Sequence, residues 1–198
     1  PQPRFGHTTT VYAKGKIVLF GGATGNTGEF SITDATYTFN LLTRFWSKVE
    51  SSYSVMQQRV VTVTKAAHAA SAIDTNQIVI YGGATGSGGL ASDHLYQLEF
   101  KENLGVWSTV QTTGRTPGKR YGHIMCYAKP YLVVFGGNTA EKSVNDCWVL
   151  NIERTPTTWQ EISSEHEVPC PRVYHSAALC SAGSAAGMIV IFGGRSAD

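Results

Sequence analysis

Several things are missing from this sequence, and each absence removes a class of protein. There is no Asn-x-Ser/Thr acceptor, and the four cysteines (Cys126, Cys147, Cys170, Cys180) form no Cys-x-x-Cys pair. Both facts lean away from a secreted disulfide framework, and the second from a zinc ribbon or a thioredoxin-type motif. No apolar run is long enough to span a bilayer and no signal peptide is present. The expected setting is a reducing, intracellular compartment, cytoplasmic or nuclear, with four free thiols. The chain opens on Pro1, so the expectation is a piece of a longer protein. Charge is scarce, at 15% of the residues with a net charge of +2. That excludes a solvated disordered chain and falls short of the basic face of a nucleic-acid binder. Glycine, by contrast, is plentiful: 21 of 198 residues.

The glycines are not scattered. Four apolar, β-branched runs each end in a pair of them: Ile17 to Gly22, Ile78 to Gly83, Leu132 to Gly137 and Ile189 to Gly194. The first glycines, Gly21, Gly82, Gly136 and Gly193, recur at intervals of 61, 54 and 57 residues. The second glycines are Gly22, Gly83, Gly137 and Gly194. A histidine precedes each pair (His7, His68, His123, His175), by 14, 14, 13 and 18 residues to the first glycine. An aromatic follows in three repeats (Tyr37, Tyr96, Trp148), with Asp34, Asp93 or Asn145 three residues before it. A tryptophan then closes each: Trp46, Trp107, Trp159.

A period near this length, with double glycine, tyrosine and tryptophan in order, resembles the kelch repeat. The resemblance implies an all-β chain, a partial β-propeller of about three and a half four-stranded blades. These are expected at about 3–50, 65–112, 117–163 and, cut short, 171–198. In the first blade strand A is expected near His7–Ala13, B near Lys16–Gly21, C near Thr36–Leu41 and D near Phe45–Val49. The A segments are built of small residues, which suits strands converging on an axis. The B segments are unbroken apolar runs, as for strands covered on both faces. Val55–Ala72 has some helix formers, but Val60 to Thr64 are β-branched and oppose a helix. Ser51–Lys65 is therefore read as an exposed loop or extra strand leading into the second blade. Because the chain stops inside its fourth repeat, an uncovered apolar face is expected at both end blades, including Val18, Phe20, Val190 and Phe192. Association through these open ends is the corresponding expectation.

The stretches GKRYGHIMCYAKPYLVVFGGN, NDCWVLNI, PCPRVYHSAAL and IFGGRSAD, with AAHAA at 66–70, resemble one family more closely. It is the N-terminal kelch region of the kelch-containing serine/threonine phosphatases of plants and apicomplexan parasites. That resemblance implies a parent with a metal-dependent phosphatase domain near its C-terminus. The motifs GDxHG, GDxVDRG and GNHE are absent from these 198 residues. No catalytic residue and no cofactor is assigned to this chain, and a two-metal site belongs only to the implied phosphatase domain.

Four histidines, one per blade, could be imagined as a metal ring. The plainer reading is that each hydrogen-bonds backbone groups at the start of strand A. Asp34, Asp93 and Asn145 are expected to clasp the arginines that open several repeats, Arg4, Arg120 and Arg172. The run from Gly86 to Ala91 mimics a dinucleotide fingerprint but leads into a strand, so it is read as a loop. The loop Gly114–Arg120 gathers Arg115, Lys119 and Arg120 around Pro117 and suits a phosphate or carboxylate.

Propeller loops fall on two rims, and the long B–C and D–A connections share one. That rim is the expected interaction face. Its candidate partner-binding residues are Arg115, Lys119, Arg120, Phe30 and Tyr53. A protein partner, including a phosphorylated one, is the first expectation. A stand-alone adaptor is the alternative, and a carbohydrate-binding propeller, with Phe30 and Tyr53 as its exposed aromatics, comes next. A copper oxidase would need a converging Tyr, Cys and His set, which is not legible.

Overall fold

The chain's computed structural model describes residues 1–26, 28–53, 64–102 and 104–196. Three complete blade sheets and the paired strands of a fourth repeat follow one another along the chain. After β1 (Arg4–Phe5), the first blade is built from β2 (Thr8–Ala13), β3 (Lys16–Phe20), β6 (Thr36–Asn40) and β7 (Phe45–Lys48), antiparallel in that order. The connection from Gly22 to Asp34 is more than a loop. Its strands β4 (Ala23–Asn26) and β5 (Glu29–Ile32) form a hairpin that pairs with β1.

The second blade has five strands. Its order is β8 (Glu50–Tyr53), β12 (Leu104–Val110), β11 (Leu95–Lys101), β10 (Gln77–Tyr81) and β9 (Ala69–Asp74). The outermost, β8, lies parallel to β12, with Glu50 opposite Leu104 and Tyr53 opposite Trp107. It is the extra strand expected before this blade; residues 54–63 of the same segment lie outside the described residues, and the described end of the stretch weighed as a helix holds strand at residues 69–72. The third blade runs β13 (Ile124–Ala128), β14 (Tyr131–Asn138), β15 (Ser143–Asn151) and β16 (Trp159–Ile162). The fourth region holds β17 (Arg172–Val173), β18 (Ser176–Leu179), β19 (Ile189–Phe192) and β20 (Arg195–Ser196), with β18 paired to β19 and β17 to β20. The chain is thus all-β with a kelch-type order, an arc of blades that is not closed.

The small-residue A strands pack side by side, β2 on β9, β9 on β13 and β13 on β18. The core lies between blades. Val18 and Phe20 of the first pack with Ile78, Ile80, Leu98 and Trp107 of the second. Val79 and Tyr81 of the second pack with Met125, Val134, Trp148 and Trp159 of the second's neighbour. Burying each such side chain contributes about 1.5–3 kcal/mol.

One repeated contact explains the register of the landmarks. The aromatic before each double glycine meets the histidine of the following blade: Phe20 with His68 (5.1 Å between ring centroids), Tyr81 with His123 (5.7 Å), Phe135 with His175 (5.6 Å). Phe20 also meets Trp107 at 5.0 Å and Tyr81 meets Trp159 at 5.7 Å. The first glycine of the first three pairs leaves room for the next blade's histidine, and all eight glycines have positive φ. At the ends the contact has no partner among the described residues. Trp46 is 43% exposed where Trp107 and Trp159 are 3% and 4%, and Phe192 is 78% exposed where Phe20 is buried. One expectation is corrected here. Val18 and Phe20 are not on an uncovered face, because the side of β3 that carries them looks toward the second blade. Exposed apolar side chains of the first blade include Val11, Leu42, Phe45 and Trp46 instead.

Candidate interface at the propeller rim

The residue before each histidine sets the mouth of the arc. Gly6, Ala67, Gly122 and Tyr174 all hold left-handed backbone, with φ of 65°, 55°, 64° and 59°. In that conformation their peptide groups line up between blades. Ala67 N–H donates to the Gly6 carbonyl (2.7 Å), Gly122 N–H to Ala67 (2.8 Å) and Tyr174 N–H to Gly122 (2.8 Å). The result is a backbone belt with one link per blade step.

A cleft of about 660 Å³ opens over this belt. All four histidines, the belt residues and the loop Ala84–Gly88 contribute to its lining, with Phe5, Phe30 and Ile32 at one end and Tyr174 at the other. Its size and apolar, aromatic lining make it a candidate binding site. It lies on the rim formed by the B–C and D–A connections.

The rings of His68, His123 and His175 pack edge-on across the blade junctions, and at His123 the expected hydrogen bond to backbone is not made among the described residues. His68 Nε2 lies 2.9 Å from Thr8 Oγ1, a side chain of the preceding blade. Both ring nitrogens of His123 lack a hydrogen-bond partner among the described residues. Burial first, then the nearby Arg120 charge, holds His123 well below the usual histidine range, and burial pulls His68 down to about 3. His7 and His175 are lowered by burial as well. Burial thus shifts all four rings toward the neutral form. Among the described residues no group of three or more His, Cys, Asp or Glu is arranged to hold a metal ion.

The expected clasp is also different. Among the described residues Asp34, Asp93 and Asn145 do not meet an arginine: Asp93 accepts from the Thr116 hydroxyl (2.7 Å), and Asn145 donates to the Pro169 carbonyl (3.1 Å). The common feature is that the arginine donates to the first glycine's carbonyl in its own repeat. Arg4 reaches Gly21, Arg120 reaches Gly136 and Arg172 reaches Gly193, each at 2.9 Å. Among the described residues only Arg120 of these three gains a carboxylate, that of Asp146, in a two-pronged pair of 2.7 and 2.8 Å. Asp146 Oδ2 also accepts the Trp148 indole N–H at 2.7 Å. Burial pushes this carboxyl up, but Arg120 and the indole outweigh it and leave it below its ordinary value.

Arg120 is therefore buried and engaged, so it is not a surface group for a partner. Lys119 is exposed. Arg115 is exposed on the outer edge of the third blade, 3.7 Å from Glu161 and over the Trp148 ring. Phe30 joins the cleft and stacks edge-on with Phe5 at 4.8 Å. Tyr53 sits on β8, away from the cleft lining, its hydroxyl pushed up by burial and Asp34. The structure thus brings Phe30 to the cleft but spreads the other candidates along the rim.

Two residues were missed. Lys65 stands three residues before His68, where the other repeats have arginine. It is buried, its Nζ has no hydrogen-bond partner among the described residues, and it lies 3.9 Å above the Tyr96 ring. Burial lowers it to about 7. The shared offset of three from the histidine would have found it. Tyr174 was missed because no residue type is common to its position.

Among the described residues no helix is long and apolar enough to cross a membrane. A sequence profile of the KLHDC2/KLHL20/DRC7 Kelch-repeats domain matches residues 6–198. The chain is 31% identical over 202 residues to the serine/threonine-protein phosphatase BSL2 of Arabidopsis thaliana, covering 96% of this chain and 19% of that protein. It is 29% identical to the acyl-CoA-binding domain-containing protein 4 of Arabidopsis thaliana, covering 99% of this chain and 28% of the relative. It is 32% identical to the dynein regulatory complex subunit 7 of Chlamydomonas reinhardtii, over 61% of this chain and 10% of that one. The chain spans less than a third of each relative's length.

Proposed function

The chain belongs to the kelch-repeat family, and from that premise we propose that it is a non-catalytic interaction domain that binds a partner protein on the rim bearing the cleft. The observation that carries this reading is the cleft itself. It combines a rigid backbone belt with aromatic rings, Phe30 and Tyr174, that face solvent instead of filling the core. Kelch repeats supply a scaffold, and loops on a rigid scaffold supply recognition.

The relatives named above attach the same unit to a phosphatase, an acyl-CoA-binding protein and a dynein regulator. The 31% identity to BSL2 over 96% of this chain favours a regulatory role beside a serine/threonine phosphatase domain in signalling. Free thiols at Cys126, Cys147, Cys170 and Cys180 favour an intracellular setting, cytoplasmic or nuclear. A GDxHG motif encoded downstream would support the phosphatase parent, and a gene ending without one would overturn it.

The partner-binding reading is tested by affinity capture from a cell extract with the wild-type chain and with an Arg115→Ala, Lys119→Ala double variant. Lys119 and Arg115 are the exposed cations of the Gly114–Arg120 loop, so an acidic or phosphorylated partner should be depleted with the variant. Its melting temperature should stay within a degree or two, because exposed pairs such as Arg115–Glu161 add little stability. Unchanged capture of every partner would remove this loop from the interface.

A further inference from the structure

Tyr174 stands where the other blades carry Gly6, Ala67 and Gly122, and it keeps their left-handed backbone. A bulky side chain in that region carries a conformational cost that glycine avoids. Here the conformation is held by the belt hydrogen bond to Gly122, and the side chain is not spent on the core. The ring is exposed, touches Tyr121 at 5.9 Å between centroids, and walls the cleft at the end away from Phe5 and Phe30. Strain that places an aromatic ring over a cleft is the kind kept for recognition.

Charge narrows what can enter. Among the described residues no lysine, arginine or carboxylate lines the cleft, and burial shifts its four imidazoles toward the neutral form. A charged group carried inside would lose water with nothing to pair it. Just outside the Tyr174 end, Arg195 is paired in register with Val173, the residue before Tyr174. Arg195 is exposed, and among the described residues it makes no ion pair. Lys119, three residues before Gly122, adds a second exposed cation to the same rim.

We propose that Tyr174 and Arg195 set the specificity of this cleft: it takes an extended segment of a partner protein whose uncharged apolar side chain inserts against the Tyr174 ring, with a neighbouring carboxylate meeting Arg195. The proposal rests on the reading that a partner protein binds this rim. It goes beyond that reading by naming the chemistry of the bound segment and the two residues that read it.

The test is to pan a random-sequence phage-displayed peptide library against the 198-residue chain and to titrate the enriched peptides by fluorescence polarisation. The enriched peptides should share an apolar residue beside Asp or Glu. Tyr174→Phe should bind them as the wild type does. Tyr174→Gly, whose backbone suits glycine as at Gly6 and Gly122, should melt no lower than wild type yet bind about tenfold more weakly or worse. Arg195→Glu should lose them by a similar factor and accept peptides with Lys or Arg in the flanking place. Wild-type affinity in both Tyr174→Gly and Arg195→Glu overturns the proposal. If Phe30→Ala then weakens the same peptides, the rim reading stands without it; if Phe30→Ala also binds normally, the peptides do not use the cleft and the rim reading falls too. A library that yields no binder overturns the extended-segment proposal and leaves the rim to the capture experiment.

Discussion

His123 of the third blade occupies the space that a side chain on Gly82 of the second would need. A Cβ at Gly82 would stand 2.6 Å from His123 Cε1 and 2.5 Å from the Arg120 carbonyl oxygen. Such a clash cannot be relieved without moving a blade. Gly82→Ala should therefore destabilise the chain by about 3 kcal/mol or more. Gly193 has a similar φ of 69° but nothing within 4 Å, so Gly193→Ala should cost only the backbone penalty of about 1–2 kcal/mol. Urea denaturation of the two variants compares them directly, and equal losses would count against the interlock.

The Arg120–Asp146 pair should be costly to break from either side. Arg120→Ala leaves a half-buried carboxylate without its partner, for a loss of about 3–5 kcal/mol. The Asp146 carboxyl is held below its ordinary value. Its contribution is thus present above the unfolded value near pH 4 and is lost as pH falls through the lower folded value. Asp146→Asn should be less stable than wild type at neutral pH and approach it in acid, as thermal melts across that range would reveal.

Lys65 carries the opposite sign of opportunity. Its amine titrates near 7 in the fold, against about 10.4 in an unfolded chain. Between those values the unfolded state binds more protons, so stability should rise with pH. Lys65→Met keeps the volume and removes the amine. The variant should be more stable than wild type at pH 7 and should lack the rise toward pH 10. A Lys65→Met protein that melts below wild type at neutral pH would mean the amine has a partner that stabilises it.

The buried histidines define a further window. His68 is lowered to about 3, so below the unfolded value near 6.5 the unfolded chain takes up a proton that the folded one refuses. Stability due to the neutral ring is complete above that value and lost as pH falls below it, at up to about 1.4 kcal/mol per pH unit for each such histidine. His68→Leu should flatten the slope between pH 6.5 and 5. Chemical denaturation midpoints over that interval provide the measurement, and an unaltered slope would assign the dependence elsewhere.

The repeat was legible because its landmarks are local: a β-branched run, a glycine pair and a histidine are read from residues close in sequence. Strands β2, β3, β6 and β7 fall where their alternation and turns place them. The direction in which Val18 and Phe20 face was not legible. A B strand apolar on both sides carries no sign of which blade covers which side. The clasp was displaced by one residue, from Asn145 to Asp146, because which of these neighbours on one strand faces Arg120, 26 residues earlier, is decided by the folded sheet. The belt was hidden for a deeper reason. Gly, Ala, Gly and Tyr share a backbone conformation and a hydrogen-bond role, and neither is written in side-chain chemistry.

That belt makes the mouth of the cleft a collective object. The amide of Ala67 is held by Gly6, that of Gly122 by Ala67 and that of Tyr174 by Gly122, so each bond spans two blades. Freeing any one of the three hydrogens requires adjacent blades to part. Their exchange with deuterated solvent would then follow the parting of whole blades rather than the fraying of a loop, and a bound segment that braces the mouth would slow all three together.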